Sequence, residues 1–174
     1  MTHSQTLELS ISHVKTPLAD MLLACTPLGV SGLWFKDQAH FPQNAALWPP
    51  AGPHHPQRKL HDRVQSWLDA YFAKELPRFE LPLDWNAWGT AFEKSVWLAL
   101  LGIPWGEKIS YGQLARQLKR PLAARAIGAA VGKNPLSLIV PCHRVCGAQG
   151  SLTGYAGGLD KKTYLWQLEA QPQH

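Results

Sequence analysis

The sequence predicts an α+β protein: a small N-terminal unit of antiparallel sheet and helix, then a mainly helical C-terminal unit with a helix-turn-helix. Three observations carry that expectation. Apolar residues alternate near the N-terminus, the period lengthens to that of a helix after residue 60, and the second half holds two helix-start signatures close together.

Leu7, Leu9 and Ile11 alternate, and Leu33 and Phe35 do so again after a turn region from Pro27 to Gly32, the pattern of antiparallel strands with one buried face. A proline-rich loop from Phe41 to Pro56 follows. Leu60, Val64, Trp67, Leu68, Tyr71 and Phe72 then recur at helical spacing, so an amphipathic helix runs here and must stop by Pro77. Its aromatics are read as core. Leu81 to Trp88, with Pro82 and no clear period, reads as a linker, which divides the chain into domains 1–86 and 87–174.

Thr90 and Glu93 make a capping box for a helix with Phe92, Val96, Trp97 and Leu100 on one face, terminated by Gly102 and Pro104. Ser110 and Gln113 make a second, launching a short helix through Leu114 and Leu118. After Lys119-Arg120-Pro121 another helix is expected from about Leu122 to Lys133, because Asn134 before Pro135 is disfavoured in α conformation. Two short helices across a tight break form the helix-turn-helix candidate. The second is nearly bare: Ala123, Ala124, Ala126, Gly128, Ala129, Ala130 and Gly132 surround Arg125, Ile127, Val131 and Lys133. Such a helix suits tight packing or close approach to a sugar-phosphate backbone, and Arg125 tilts the reading toward nucleic acid. A last helix is expected from about Asp160 to Leu168.

With 174 residues, 45% hydrophobic and 17% charged, the composition is that of a soluble globular protein. No apolar stretch approaches a membrane span and the N-terminus lacks a signal-peptide pattern, so a cytoplasmic protein is expected, nuclear if the source is eukaryotic. Three cysteines match neither a disulfide framework nor a zinc pattern. Cys25 and Cys146 are read as structural thiols, His54, His55 and His61 as surface histidines, and no metal or cofactor is expected. The net charge of +5 is uneven: residues 1–104 hold eight Lys and Arg against nine Asp and Glu, residues 105–174 nine against three. The basic surplus in the second half hints at an acidic partner.

That half contains Pro141-Cys142-His143-Arg144-Val145, after the apolar run Leu136, Leu138, Ile139 and Val140 and before a glycine-rich loop. Most cysteines are small core hydrophobes. A cysteine beside an imidazole and a guanidinium, where a buried segment meets a loop, instead points to a reactive thiolate.

Together with Ile109-Ser110-Tyr111, Ala124-Arg125-Ala126, Asn134-Pro135 and Gly154-Tyr155-Ala156-Gly157-Gly158, this signature resembles the O6-alkylguanine-DNA alkyltransferases. The resemblance is strong from Gly89 to Glu169 and weaker before it. It implies a ribonuclease H-like N-terminal domain, a winged-helix-like C-terminal domain, and stoichiometric, irreversible transfer of an alkyl group from guanine O6 to Cys142. It assigns His143 as the base, acting through water because neighbours in extended chain point to opposite sides. Glu169 would orient His143, Tyr111 would donate to the departing guanine, and Asn134 would link the recognition helix to the active site. Arg125 would enter the base stack of double-stranded DNA from the minor groove as the lesion rotates out, with Ala124, Ala126, Gly128 and Lys133 beside it. Val131, Val145 through its carbonyl, Tyr155, Ala156 and Gly157 would form the base pocket.

The same resemblance implies a monomer with no membrane association. Departures are Ala156 where some members have serine, Ala91 and Glu93 where proline and glutamine are common, and Cys146 in place of an aliphatic residue. A structural zinc site found in some relatives is not supported, since only Cys25 has a plausible counterpart. O6-methylguanine is the chief expected substrate, with O4-methylthymine left open. Two other classes stay in view: a non-catalytic module that recognises alkylated DNA, which the presence of Cys142 opposes, and a sequence-specific helix-turn-helix regulator.

Overall fold

A computed structural model describes residues 8–75 and 78–170; the expectations at Leu7 and Pro77 lie outside the described residues. Three antiparallel strands, β1 (Ser10–Val14), β2 (Met21–Thr26) and β3 (Gly29–Phe35), make one sheet in sequence order. β2 was not foreseen. Every residue of it is buried, so Met-Leu-Leu-Ala-Cys-Thr carries no polar alternation to announce a strand. The turn before β3 is correspondingly shorter than Pro27 to Gly32, with Gly29–Gly32 already in the strand.

Both sheet edges are occupied, which removes the hazard of unpaired strand edges. On β1, Ile11 N–H donates to Pro49 O at 2.9 Å and Ile11 O accepts from Ala51 N–H at 2.7 Å. β3 takes residues 82–84 at one end, through Val30 and Pro82, and residues 135–137 at the other, through Leu33 with Pro135 and Ser137. The segment leading to Cys142 is therefore hydrogen-bonded to the N-terminal sheet.

Helix α1 (Arg58–Phe72) turns His61, Val64, Leu68 and Tyr71 inward at helical spacing. His61 is thus no surface histidine: it is 2% exposed, with Ser10 Oγ 3.0 Å from Nε2 and Ser12 Oγ 2.7 Å from Nδ1. Both predicted capping boxes form, at Thr90/Glu93 for α2 (Ala91–Leu100) and Ser110/Gln113 for α3 (Tyr111–Gln117). Helix α4 (Ala124–Gly132) starts two residues later than expected, because Arg120 O accepts from Ala123 N–H in a turn that occupies Pro121 and Leu122. Helix α5 (Leu159–Ala170) extends past Leu168 and includes Glu169. Two-residue strands β4 (Ile109–Ser110) and β5 (Val145–Cys146) pair in parallel. One continuous apolar cluster runs from Val14 and β2 through α1, α2 and α4 to Leu165 and Leu168.

Candidate active site

Residues 142–144 form a single 3-10 turn rather than extended chain, and Pro141, Cys142, His143 and Arg144 are all buried. Asn134 fixes the loop before it. Its Oδ1 accepts from Leu136 N–H at 2.9 Å, while Nδ2 donates to Val140 O at 2.9 Å and lies 3.1 Å from Cys142 Sγ. The end of α4 and the cysteine are thus held by one amide side chain. Burial pushes the Cys142 thiol up, against the opposing pull of the Asn134 amide and the Lys162 ammonium. The resting group is a thiol, which corrects the sequence expectation of a thiolate already populated by its neighbours.

Those neighbours serve Glu169 instead. Its Oε1 accepts from His143 Nε2 at 2.7 Å, Tyr71 Oη at 2.7 Å and Arg144 Nη2 at 3.0 Å. Its Oε2 accepts from Arg144 Nε at 2.9 Å and Gly106 N–H at 3.2 Å. Burial alone would raise this carboxyl, but the hydrogen bonds from His143 and Arg144 and the positive charge of the Arg144 guanidinium outweigh it and hold the group well below the carboxylate range. Gly106 is required here, since φ is 75° and a Cβ would lie 2.9 Å from Glu169 O.

An ionised acceptor on Nε2 fixes the histidine tautomer: Nε2 carries the hydrogen and Nδ1 carries the lone pair. Burial lowers the His143 pKa more than Glu169 raises it, so the ring is neutral near pH 7. Nδ1 is buried and accepts no hydrogen bond from the described residues; Tyr155 Oη is similarly unpartnered.

Cys142 borders an open pocket of about 200 Å³ with Tyr111, Val131, Tyr155 and Ala156. Gly128 also lines it, where any Cβ would sit 3.6 Å from the Tyr111 ring. Tyr111 Oη lies 3.5 Å from Gly154 O, and burial, with Cys142 and Cys146 nearby, raises its pKa. Val145 and Gly157 do not line this pocket. Lys162 Nζ donates to Val145 O at 2.6 Å, and Gly157 is packed where a Cβ would lie 2.8 Å from the Tyr155 ring and 3.0 Å from Phe35.

The bare helix α4 packs inward on one face and leaves the other exposed. Inward, Ile127, Ala130 and Val131 are buried and Trp97 Nε1 reaches Ala130 O at 2.8 Å. Outward, Arg125, Ala126 and Ala129 are exposed, with Ala124 half-buried. Lys133 is exposed as well but pairs with Glu93 at 2.8 Å, so a phosphate would have to compete for it.

Sequence reasoning missed four contributors. Tyr71 was read as ordinary core, and nothing local marks it as a donor to Glu169. Lys162 is fully buried, with Nζ bonded to the carbonyls of Val145, Thr153 and Gly154, and burial brings its pKa down to about 8. Ala39 and His40 line the Cys142 pocket from the turn after β3. Among the described residues no cluster of His, Cys, Asp or Glu is placed to hold a metal ion.

Residues 91–171 match the family described as 6-O-methylguanine DNA methyltransferase, DNA binding domain. The chain is 44% identical over 156 residues to the methylated-DNA-protein-cysteine methyltransferase of Mycobacterium leprae, covering 90% of this chain and 89% of the relative. It is 42% identical over 159 residues to the protein of that name from Methanosarcina mazei, covering 90% and 94%. In three dimensions it is similar to Mycobacterium tuberculosis OGT in complex with DNA, with a TM-score of 0.81, 40% identity and 92% of each chain covered.

Proposed function

The chain belongs to the methylated-DNA-protein-cysteine methyltransferases, and from that membership and the geometry around Cys142 we propose how its residues carry the reaction. It is a DNA repair protein and an enzyme, EC 2.1.1.63, that moves the alkyl group of O6-alkylguanine in double-stranded DNA onto its own cysteine. A thioether has no ready hydrolysis route, so each molecule acts once.

One observation carries the assignment of Cys142 as acceptor. The next residue is a buried neutral imidazole whose Nε2 is committed to Glu169 and whose Nδ1 lone pair is unused by the described residues. In the proposed step the thiol proton passes through one water to His143 Nδ1. The sulfur electron pair attacks the alkyl carbon, a C–S bond forms, and the C–O6 bond breaks with its pair remaining on guanine. Tyr111 Oη supplies a hydrogen bond or proton to the departing base, and the proton held on His143 restores the balance. Asn134 steadies the sulfur, and Glu169 keeps His143 in the receptive tautomer.

The exposed face of α4 is the DNA surface in this reading. Arg125 enters the duplex from the minor groove and fills the space left by the flipped nucleotide, while Ala124, Ala126 and Gly128 let the helix approach the backbone and Lys133 exchanges Glu93 for phosphate. The extruded base lies between Tyr111 and the lid formed by Tyr155, Ala156 and Gly157, against Val131. The Val145 carbonyl accepts from Lys162 and stands behind the pocket wall, so its part in this reading is to anchor Lys162 beside the lid.

We read the three-stranded sheet with α1 as a reduced ribonuclease H-like domain over 1–86 and the helical remainder as a winged-helix-like domain over 87–174. The protein acts as a monomer in the compartment that holds the DNA, the cytoplasm or a nucleus. No helix of the described residues is long and apolar enough to cross a membrane. A duplex carrying a labelled O6-methyl group tests the stoichiometry: label transfer stops at one methyl per protein molecule, and continued turnover with excess lesion overturns the proposal.

A further inference from the structure

The turn after β3, residues 36–40, forms a wall of the Cys142 pocket although it belongs to the N-terminal half of the chain. One bond ties it to the lid, Ala39 N–H donating to Ala156 O at 2.8 Å, and one to the first turn of α5 beyond the lid, Lys161 Nζ donating to Asp37 Oδ2 at 2.7 Å. A third anchor is buried. Gln38 Oε1 accepts from Phe35 N–H at 2.9 Å and from Ser137 Oγ at 2.9 Å, which fixes the turn to β3 and to the segment preceding Cys142. A piece of chain held at three points is a wall rather than a flap.

His40 ends that wall in the left-handed region, with φ of 62°, a conformation that costs a non-glycine residue free energy unless its surroundings impose it. His40 is exposed and lines two cavities. One is the pocket of about 200 Å³ at Cys142; the other, about 310 Å³, lies past the end of α4 between Trp34, Trp88, Trp97 and Pro135. The first is smaller than the roughly 300 Å³ at the low end of sites for drug-sized ligands, room for a purine with a small substituent. The second has three tryptophans that suit a flat apolar group, and the Glu93–Lys133 pair also lines it.

We propose that His40 determines the size of alkyl group accepted, by separating the Cys142 pocket from an aromatic cavity able to take the distal ring of an aryl-bearing O6 substituent. This rests on the alkyl-transfer reading above. Small alkyl groups react without disturbing the wall. A benzyl-sized group reaches Cys142 only when the imidazole gives way and its ring passes into the second cavity.

The test compares single-turnover transfer from O6-methylguanine and O6-benzylguanine duplexes to the full-length protein, its His40→Gly variant and its Lys161→Met variant. Glycine accepts the left-handed conformation, so His40→Gly opens the partition without straining the backbone; Lys161→Met releases the tie between the wall and α5. The benzyl-to-methyl rate ratio is expected to rise at least about tenfold in His40→Gly, the scale on which an apolar pocket discriminates by size, and to rise in the same direction in Lys161→Met. An unchanged ratio in both variants overturns the proposal. Using a ratio keeps a general loss of folded protein from imitating the effect. Failure of the unaltered protein to accept the methyl group would instead defeat the alkyl-transfer reading itself.

Discussion

Replacing Glu169 with glutamine should do more damage than a single isosteric change suggests. The carboxylate is 3% exposed and accepts from five donors, two of them on an Arg144 guanidinium that is itself 11% exposed. Glutamine removes the negative charge and turns one acceptor oxygen into a donor amide, which then faces donors. Breaking a buried ion pair by removing one partner costs about 3–5 kcal/mol, so Glu169→Gln should lose that much stability in urea unfolding near pH 7. The pH dependence has a definite sign. The folded carboxyl is held below its ordinary value of 4.5, so its stabilisation is present above that value and is lost as pH falls below it. The variant should lack this contribution to acid loss. Transfer to Cys142 should slow as well, since amide and imidazole no longer agree on which nitrogen of His143 carries the hydrogen. A variant within about 1 kcal/mol of the parent, the range of an ordinary exposed pair, would refute the account of a buried charge centre.

His61 gives a second pH prediction. Burial is the main cause that brings its pKa from 6.5 to about 4, so between those values the unfolded chain binds a proton that the folded protein refuses. Stability should fall over that window by up to about 3 kcal/mol, and His61→Gln should flatten the profile of unfolding midpoint against pH; an equally steep profile in the variant removes His61 as the cause. Arg125→Ala should slow reaction with a duplex lesion at least ~10-fold more than with free O6-alkylguanine base, and equal losses on both would exclude a role in extrusion. Tyr111→Phe should slow transfer ~100-fold, at the lower end for loss of a proton donor, with DNA affinity unchanged in a binding titration. An unaltered rate would free the phenol from that role.

What could be read in advance divides by range. The two capping boxes are local, four-residue statements, and both form as written. α1 was legible because one of its faces is polar. β2 was not, because a strand buried throughout shows no period. The 3-10 turn at Cys142 was hidden because its shape follows from Asn134 bonding to carbonyls on the intervening loop, which a reading of Cys142-His143-Arg144 as extended chain does not contain. Glu169 shows the limit most clearly. Alone it is a glutamate near a helix end, where the backbone dipole disfavours it; its position became intelligible only when α1, residue 106 and the 142–144 turn delivered Tyr71, Gly106, His143 and Arg144 to it. The resemblance had named His143 and Glu169, but not the arginine that helps keep the carboxylate charged or the tyrosine that also donates to it.

The central claim is that Cys142, and neither of the other two cysteines, takes the alkyl group. Cys25 and Cys146 are buried free thiols, and burial pushes Cys25 up to about 12. Peptide mass spectrometry after incubation with an O6-methylguanine duplex separates the three. A single added methyl group on the peptide carrying Cys142, with the lesion strand returned to guanine, is the predicted result; an unmodified Cys142 alongside a repaired strand, or a methyl group on Cys25 or Cys146, would contradict it.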